Sequence, residues 1–241
     1  MLFIPGFMQR GDAWRPVREL LPERYPSVLL DHAKHSFEGR LGEIAAAGEG
    51  RVLVGYSLGG RLALRAALRD PERYAGVVTL GATAGIEEPA LRSARAEADD
   101  RLAAWMEVTP IEDIVSIWER QPLFADQSES LIEAQRPGRL DQQPAELALI
   151  LRTAGQGVLE PVWHQLVRFE LPLLALAGSR DDGYLAAAAR IADTAPQARA
   201  ESIENAGHAA HLQQPEAVAG ALGRFLAELE DSSQPNVRPP T

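Results

Sequence analysis

The chain contains no cysteine. That absence removes disulfides, thiolate metal sites and cysteine nucleophiles, and it fits a reducing compartment such as the cytoplasm. Lysine is almost absent too: Lys34 stands alone, and every other basic residue is arginine. Long apolar runs are missing. No segment approaches the roughly 18 uninterrupted apolar residues of a membrane span. The opening Met1-Leu2-Phe3-Ile4-Pro5-Gly6 has neither the basic start nor the apolar length of a signal peptide, so none is expected. Positive charge is in deficit, with a net formal charge of −10 at pH 7. No basic cluster stands against it, so neither nucleic acid nor an anionic membrane is an expected partner. The charge favours solubility, and an anionic ligand must be drawn in by local arginines against the overall field.

What is present is an ordinary globular balance: 241 residues, 46% hydrophobic and 24% charged. This suits one substantial domain, or one domain carrying an insertion. Short strand-like runs, most of them apolar, at 2–4, 28–31, 52–54, 76–80, 173–177 and 200–203 alternate with helical patterns at 12–21, 37–47, 58–69 and 215–230. Runs of that kind mark strands buried on both faces, hence a mostly parallel, doubly wound α/β sheet. Between 85 and 169 the strand pattern stops. Helices are expected at 89–107, 111–119, 128–136, 145–154 and 161–167, punctuated by Pro110, Pro122, Pro137 and Pro144. We read this block as a helical cap (85–169) inserted into a core formed by 1–84 and 170–230, with a polar, proline-rich disordered tail at 231–241.

Gly55-Tyr56-Ser57-Leu58-Gly59 matches G-x-S-x-G, between a predicted strand and a predicted helix. A serine held on so tight a turn needs small neighbours, and the N–H of Leu58 then lies at a helix N-terminus, where it can stabilise an oxyanion. Of the five histidines, His208 follows the last strand, and Asp181 follows the strand at 173–177. The order Ser57, Asp181, His208 is that of α/β-hydrolase enzymes, with Asp181 fixing the imidazole tautomer. Asp182 and His211 are the weaker alternatives. The loop after the first strand, Pro5-Gly6-Phe7-Met8, offers Phe7 as the second oxyanion donor.

Beyond the triad, Gly55-Tyr56-Ser57-Leu58-Gly59-Gly60-Arg61 closely resembles the nucleophile elbow of the 2-succinyl-6-hydroxy-2,4-cyclohexadiene-1-carboxylate synthases of menaquinone biosynthesis. Trp118-x-x-Gln121-Pro122-x-Phe124, Arg95, Arg136 and Gly207-His208-x-x-His211 are similar to further segments of that family, and the likeness spans Phe3 to about Phe225. The resemblance implies an α/β-hydrolase fold with an inserted helical cap. It also implies a lyase that removes a proton beside the succinyl carbonyl of 2-succinyl-5-enolpyruvyl-6-hydroxy-3-cyclohexene-1-carboxylate and expels pyruvate, with no metal or organic cofactor. Arg61, Arg95 and Arg136 would then bind the carboxylates of a small polycarboxylate substrate, with Trp118 and Tyr56 lining the pocket. The sequence departs from the family at three points. It begins almost at the oxyanion loop, which shortens the N-terminal sheet edge; Pro5 stands where histidine is usual; and Gly183 stands where some members have lysine.

Two other readings use the same residues. A serine carboxylesterase or thioesterase would need the same triad with Ser57 as nucleophile, because the fold alone does not choose the reaction. A binding protein that had lost activity would not need the triad at all.

Overall fold

The computed structural model describes residues 1–233. In chain order these form β1 (Leu2–Ile4), α1 (Arg15–Glu19), β2 (Val28–Leu29), α2 (Phe37–Gly48), β3 (Val52–Tyr56), α3 (Leu58–Arg69), β4 (Gly76–Leu80), α4 (Pro89–Glu107), α5 (Ile111–Trp118), α6 (Glu129–Leu140), α7 (Pro144–Ala154), α8 (Trp163–Leu166), β5 (Leu173–Gly178), α9 (Asp182–Thr194), β6 (Ala198–Ile203), α10 (Ala210–Gln213) and α11 (Pro215–Ser233). The strands make one sheet in the order β2-β1-β3-β4-β5-β6. Every pairing among the described residues is parallel.

Strand residues alternate between two cores, as the period of two requires. Leu2, Ile4, Leu53, Val77 and Leu173 pack with Leu41, Ile44, Leu62 and Ile191 on one face. Phe3, Val52, Val54, Val78 and Leu174 pack with Trp14, Val17, Val218, Leu222 and Phe225 on the other. Helices therefore cover both faces of β1, β3, β4 and β5, which are buried throughout and read as mostly apolar runs, whereas the edge strands β2 and β6 are partly exposed. No helix among the described residues is long and apolar enough to cross a membrane.

The chain leaves the sheet after β4 and returns at β5, with α4 to α8 between them and α4 lying along α7. Both ends of this excursion are tied together. Val162 N–H donates to the Ala84 carbonyl (2.8 Å) and Trp163 Nε1–H to the Gly85 carbonyl (2.8 Å).

Several boundaries differ from expectation. The helix expected at 12–21 splits into a 3-10 turn at Gly11–Trp14 and the short α1. Pro16 lies in the first turn of α1 and lacks the N–H needed to continue a helix entering from before it. α6 does not stop before Pro137 but runs to Leu140. The turn beyond the proline holds Arg139, only 3% exposed, which donates to Glu119 Oε1 (3.2 Å) and Gln135 Oε1 (2.7 Å), and these bonds offset the one that Pro137 removes. α9 has no counterpart in the sequence reading. Its alanines favour helix but carry little hydrophobic contrast, so the 3.6-residue period is faint. Residues 231–233, expected to open the tail, belong to α11, and the rest of that expected tail, 234–241, lies outside the described residues.

Candidate active site

β3 ends at Tyr56 and α3 starts at Leu58, so Ser57 makes the reversal alone. Its φ of 51° and ψ of −110° are unfavourable for any residue with a Cβ. Two glycines make the turn possible by close approach. A Cβ on Gly55 would sit 2.2 Å from the Gly59 carbonyl oxygen, and one on Gly59 would sit 2.3 Å from that of Ile4. Ser57 N–H donates to the Leu80 carbonyl (2.8 Å), which pins the elbow to β4.

Asp181 lies between β5 and α9, and its carbonyl accepts from the N–H groups of Tyr184 (3.0 Å) and Leu185 (2.8 Å) at the helix start. His208 lies in the loop after β6. Its Nδ1 is 2.7 Å from Asp181 Oδ2 and its Nε2 is 3.1 Å from Ser57 Oγ. The ring is 2% exposed and packs against Tyr184 and Tyr56, with centroids 4.6 and 5.2 Å away. A carboxylate at Nδ1 holds the N–H there and leaves the Nε2 lone pair for the serine hydroxyl. Ser57, His208 and Asp181 are thus joined as the chain order led us to expect. Asp182 is exposed on the first turn of α9.

His211 lies away from the relay, between the rings of Tyr56 (4.3 Å) and Trp14 (4.6 Å). It is fully buried, neither ring nitrogen has a partner among the described residues, and burial lowers its pKa to about 3, with His208 adding to the effect. Burial also raises the Tyr56 phenol well above its ordinary value.

Ser57 and His208 open into a cavity of about 410 Å³, bordered on the core side by Phe7, Tyr56, Leu58, Arg61 and Tyr184, and on the helical side by Arg95, Asp99, Trp118, Phe124 and Gln156. Trp118 packs against Phe7 (5.1 Å) and Phe124 (5.8 Å). Phe7 and Leu58, the expected oxyanion donors, both border the cavity, and neither backbone N–H meets an acceptor among the described residues. The loop carrying Phe7 is turned by Met8, whose φ is 57°. Among the described residues, no group of three or more His, Asp or Glu side chains is placed to hold a metal ion.

The arginines divide. Arg61 reaches the cavity from α3 and donates to the Ala154 carbonyl (2.9 Å), with no carboxylate at ion-pair distance among the described residues. Burial lowers its pKa to about 10, so it stays charged. A half-buried cation without a counter-ion is costly unless a ligand supplies the negative charge. Arg95 also borders the cavity, held by Asp99 Oδ1 (2.8 Å) and Gln156 Oε1 (2.9 Å). Arg136 does not border it. Its side chain is 49% exposed and pairs with Glu119 (2.6 Å) in a separate groove lined by Ser116, Arg120 and Glu133. This departs from the expectation that Arg136 reaches down from the cap to bind a substrate carboxylate. The inward arginine of α6 is Arg139, which lies over the Phe124 ring at 5.8 Å. The sequence alone hides it, because Pro137 reads as the end of the helix. Sequence reasoning also misses Tyr184, Asp99 and Gln156. Tyr184 had a usable signal, three residues beyond Asp181 at the mouth of the sheet.

Comparison with known proteins agrees with this geometry. Residues 1–221 match the model of the alpha/beta hydrolase family. A 2-succinyl-6-hydroxy-2,4-cyclohexadiene-1-carboxylate synthase of Enterobacter sp. (strain 638) is 31% identical over 94% of this chain and 91% of its own length. A protein of the same name from Citrobacter koseri is 29% identical over 94% of this chain and 93% of its own. Among solved structures, MenH from S. aureus superposes with a TM-score of 0.90 at 25% identity, covering 95% of this chain and 93% of that one. A thermophilic esterase from Thermogutta terrifontis reaches 0.73 at 22% identity, over 95% of this chain and 89% of that one, a likeness of fold alone. The chain belongs to the alpha/beta hydrolase family and, within it, to the 2-succinyl-6-hydroxy-2,4-cyclohexadiene-1-carboxylate synthases.

Proposed function

We propose that this enzyme is a cytoplasmic carbon–oxygen lyase. It converts 2-succinyl-5-enolpyruvyl-6-hydroxy-3-cyclohexene-1-carboxylate to 2-succinyl-6-hydroxy-2,4-cyclohexadiene-1-carboxylate and pyruvate, in menaquinone biosynthesis. The observation that carries this reading is the joining of a Ser57–His208–Asp181 relay to a cavity holding Arg61 without a counter-ion.

His208 Nε2 accepts the Ser57 hydroxyl proton as Ser57 Oγ takes the carbon-bound proton beside the succinyl carbonyl. The imidazolium is stabilised by Asp181 at 2.7 Å. The negative charge left on the succinyl oxygen is met by the N–H groups of Phe7 and Leu58. Its electrons pass through the ring double bond and break the bond to the enolpyruvyl oxygen. Enolpyruvate leaves and takes up a proton as pyruvate, which restores the neutral relay. Each step uses side chains and backbone of this chain alone.

The helices from α4 to α8 act as a cap that shields the enolate from water and carries Arg95 and Trp118 over the relay. Arg61 and Arg95 hold substrate carboxylates, each contact to a charged group contributing about 1.5–3 kcal/mol. An ester hydrolase would use the same relay, but a neutral ester leaves Arg61 uncompensated. The test is a spectroscopic assay of diene formation coupled to pyruvate release. Release of both products in equal amounts is the expected result. Absence of turnover, with rapid covalent labelling of Ser57 by a neutral ester, would overturn the lyase in favour of the esterase.

A further inference from the structure

Tyr184 is a cavity residue to which the mechanism above assigns no role. It stands in the first turn of α9, three residues after Asp181, and borders the cavity beside His208, with ring centroids 4.6 Å apart. Its ring is fixed by that packing, and its backbone by the N–H bond to the Asp181 carbonyl (3.0 Å). Tyr184 shares the cavity lining with Arg61 and Arg95, whose charges act on its phenol hydroxyl. The Gln156 amide reaches the same hydroxyl, while Gln156 Oε1 accepts from Arg95 Nη1 at 2.9 Å. An amide N–H directed at the phenol oxygen occupies an oxygen lone pair and leaves the O–H proton to point elsewhere. No hydrogen bond donated by that proton is formed among the described residues. The nearby buried carboxylate, Asp99, is 4% exposed; its Oδ1 accepts from Arg95 Nε, and its Oδ2 has no partner among the described residues.

Three donors therefore border one cavity: the Arg61 guanidinium, the Arg95 guanidinium and the Tyr184 hydroxyl. Two cations and a neutral donor suit a planar carboxylate, which has about four acceptor positions and rarely fills them from a single arginine. We propose that Tyr184 is a specificity-determining residue whose hydroxyl donates to a substrate carboxylate seated between Arg61 and Arg95. The inference rests on the lyase reading and adds to it a rule of discrimination. A buried donor that loses its acceptor is penalised, so the site rejects a substrate whose carboxylate has been replaced by a methyl ester. The ring of Tyr184 is shared with the His208 contact, but the hydroxyl is not. Ring and hydroxyl can therefore be separated experimentally.

The experiment is steady-state kinetics of Tyr184→Phe on the enolpyruvyl substrate and on its succinyl methyl ester. Tyr184→Phe keeps the ring against His208 and removes the hydroxyl alone, with its donor proton and the oxygen that the Gln156 amide reaches. The expected result is a rise in KM of about tenfold for the carboxylate substrate, from loss of one charge-assisted bond. The fall in kcat at saturation is expected to be less than threefold, with the kcat pH profile unmoved, and the methyl ester should show no more than a twofold change in KM. A KM for the carboxylate substrate within twofold of wild type overturns the proposal, as does an equal rise for both substrates, which would assign Tyr184 to cavity shape alone. A kcat that collapses with a displaced pH profile also overturns it, by placing the residue's effect on His208. Wild-type enzyme that forms no diene overturns the lyase reading itself and this inference with it. An active wild type with an unchanged variant overturns only the inference.

Discussion

Ser57 is held at a positive φ that no packing of its side chain explains; the turn between β3 and α3 imposes it. Ser57→Ala keeps the Cβ and therefore the strain. It should lower kcat by about 10²- to 10⁴-fold, the usual contribution of a positioned proton-transfer group, with an unchanged Tm. Ser57→Gly should be as inactive but more stable, by about 1 kcal/mol, because glycine removes the strain. Thermal unfolding of the two variants side by side checks this, and equal Tm values would mean that the elbow is unstrained. For the arginines the structure sets a contrast. Arg61→Ala should lower kcat/KM for the enolpyruvyl substrate by about tenfold or more. Arg136→Ala should lower it by less than threefold, since Arg139 still holds Glu119 at 3.2 Å. Equal losses in the two variants would return Arg136 to the substrate.

At the scale of elements, α6 is the instructive case. Pro137 sits inside it and denies the carbonyl of Glu133 its helical partner. The helix persists because Arg139 is drawn inward to Glu119, a buried carboxylate that receives two arginines. Pro137→Ala restores the missing bond but loosens the unfolded chain, so a net gain of about 1–2 kcal/mol is expected. In a chain of this length that corresponds to a rise in Tm of roughly 2–8 °C. Calorimetry showing a fall would mean that the proline shapes α6 rather than burdening it. Position in sequence also explains why the relay was easy to read and the arginines hard. Ser57, Asp181 and His208 each sit just past the C-terminal end of a strand, where a parallel sheet gathers its loops. Arg61, Arg95 and Arg139 sit on helices, where a single turn decides between inside and outside.

For the molecule as a whole, two buried histidines link stability to pH. Burial lowers the pKa of His211 to about 3, and burial with the Arg40 charge lowers that of His32 to about 4, against 6.5 when exposed. Below pH 6.5 the unfolded chain binds protons that the folded one refuses. The contribution of these groups is thus complete above 6.5 and is lost as pH falls toward 4 and then 3, at up to about 1.4 kcal/mol per pH unit per group. His211→Phe should remove one of the two dependences. It should cost little at pH 7.5, because neither ring nitrogen of His211 has a partner to lose. Denaturant titrations at pH 7.5 and 5 test this, and an unchanged difference between the two pH values would show that His211 does not carry the effect. The amino-acid sequence by itself determined the parallel α/β class, the G-x-S-x-G elbow and the order of the relay, because strand runs, turn glycines and chain order are local or one-dimensional properties. It did not determine which arginines face the substrate or what stands beside His208. Arg136 and Arg139 are three residues apart on one helix, and only the packing of that helix against Glu119 and Phe124 turned one outward and the other inward. Tyr184 and Gln156 are distant in sequence and share a cavity only because α9 and the end of α7 converge over the same sheet edge.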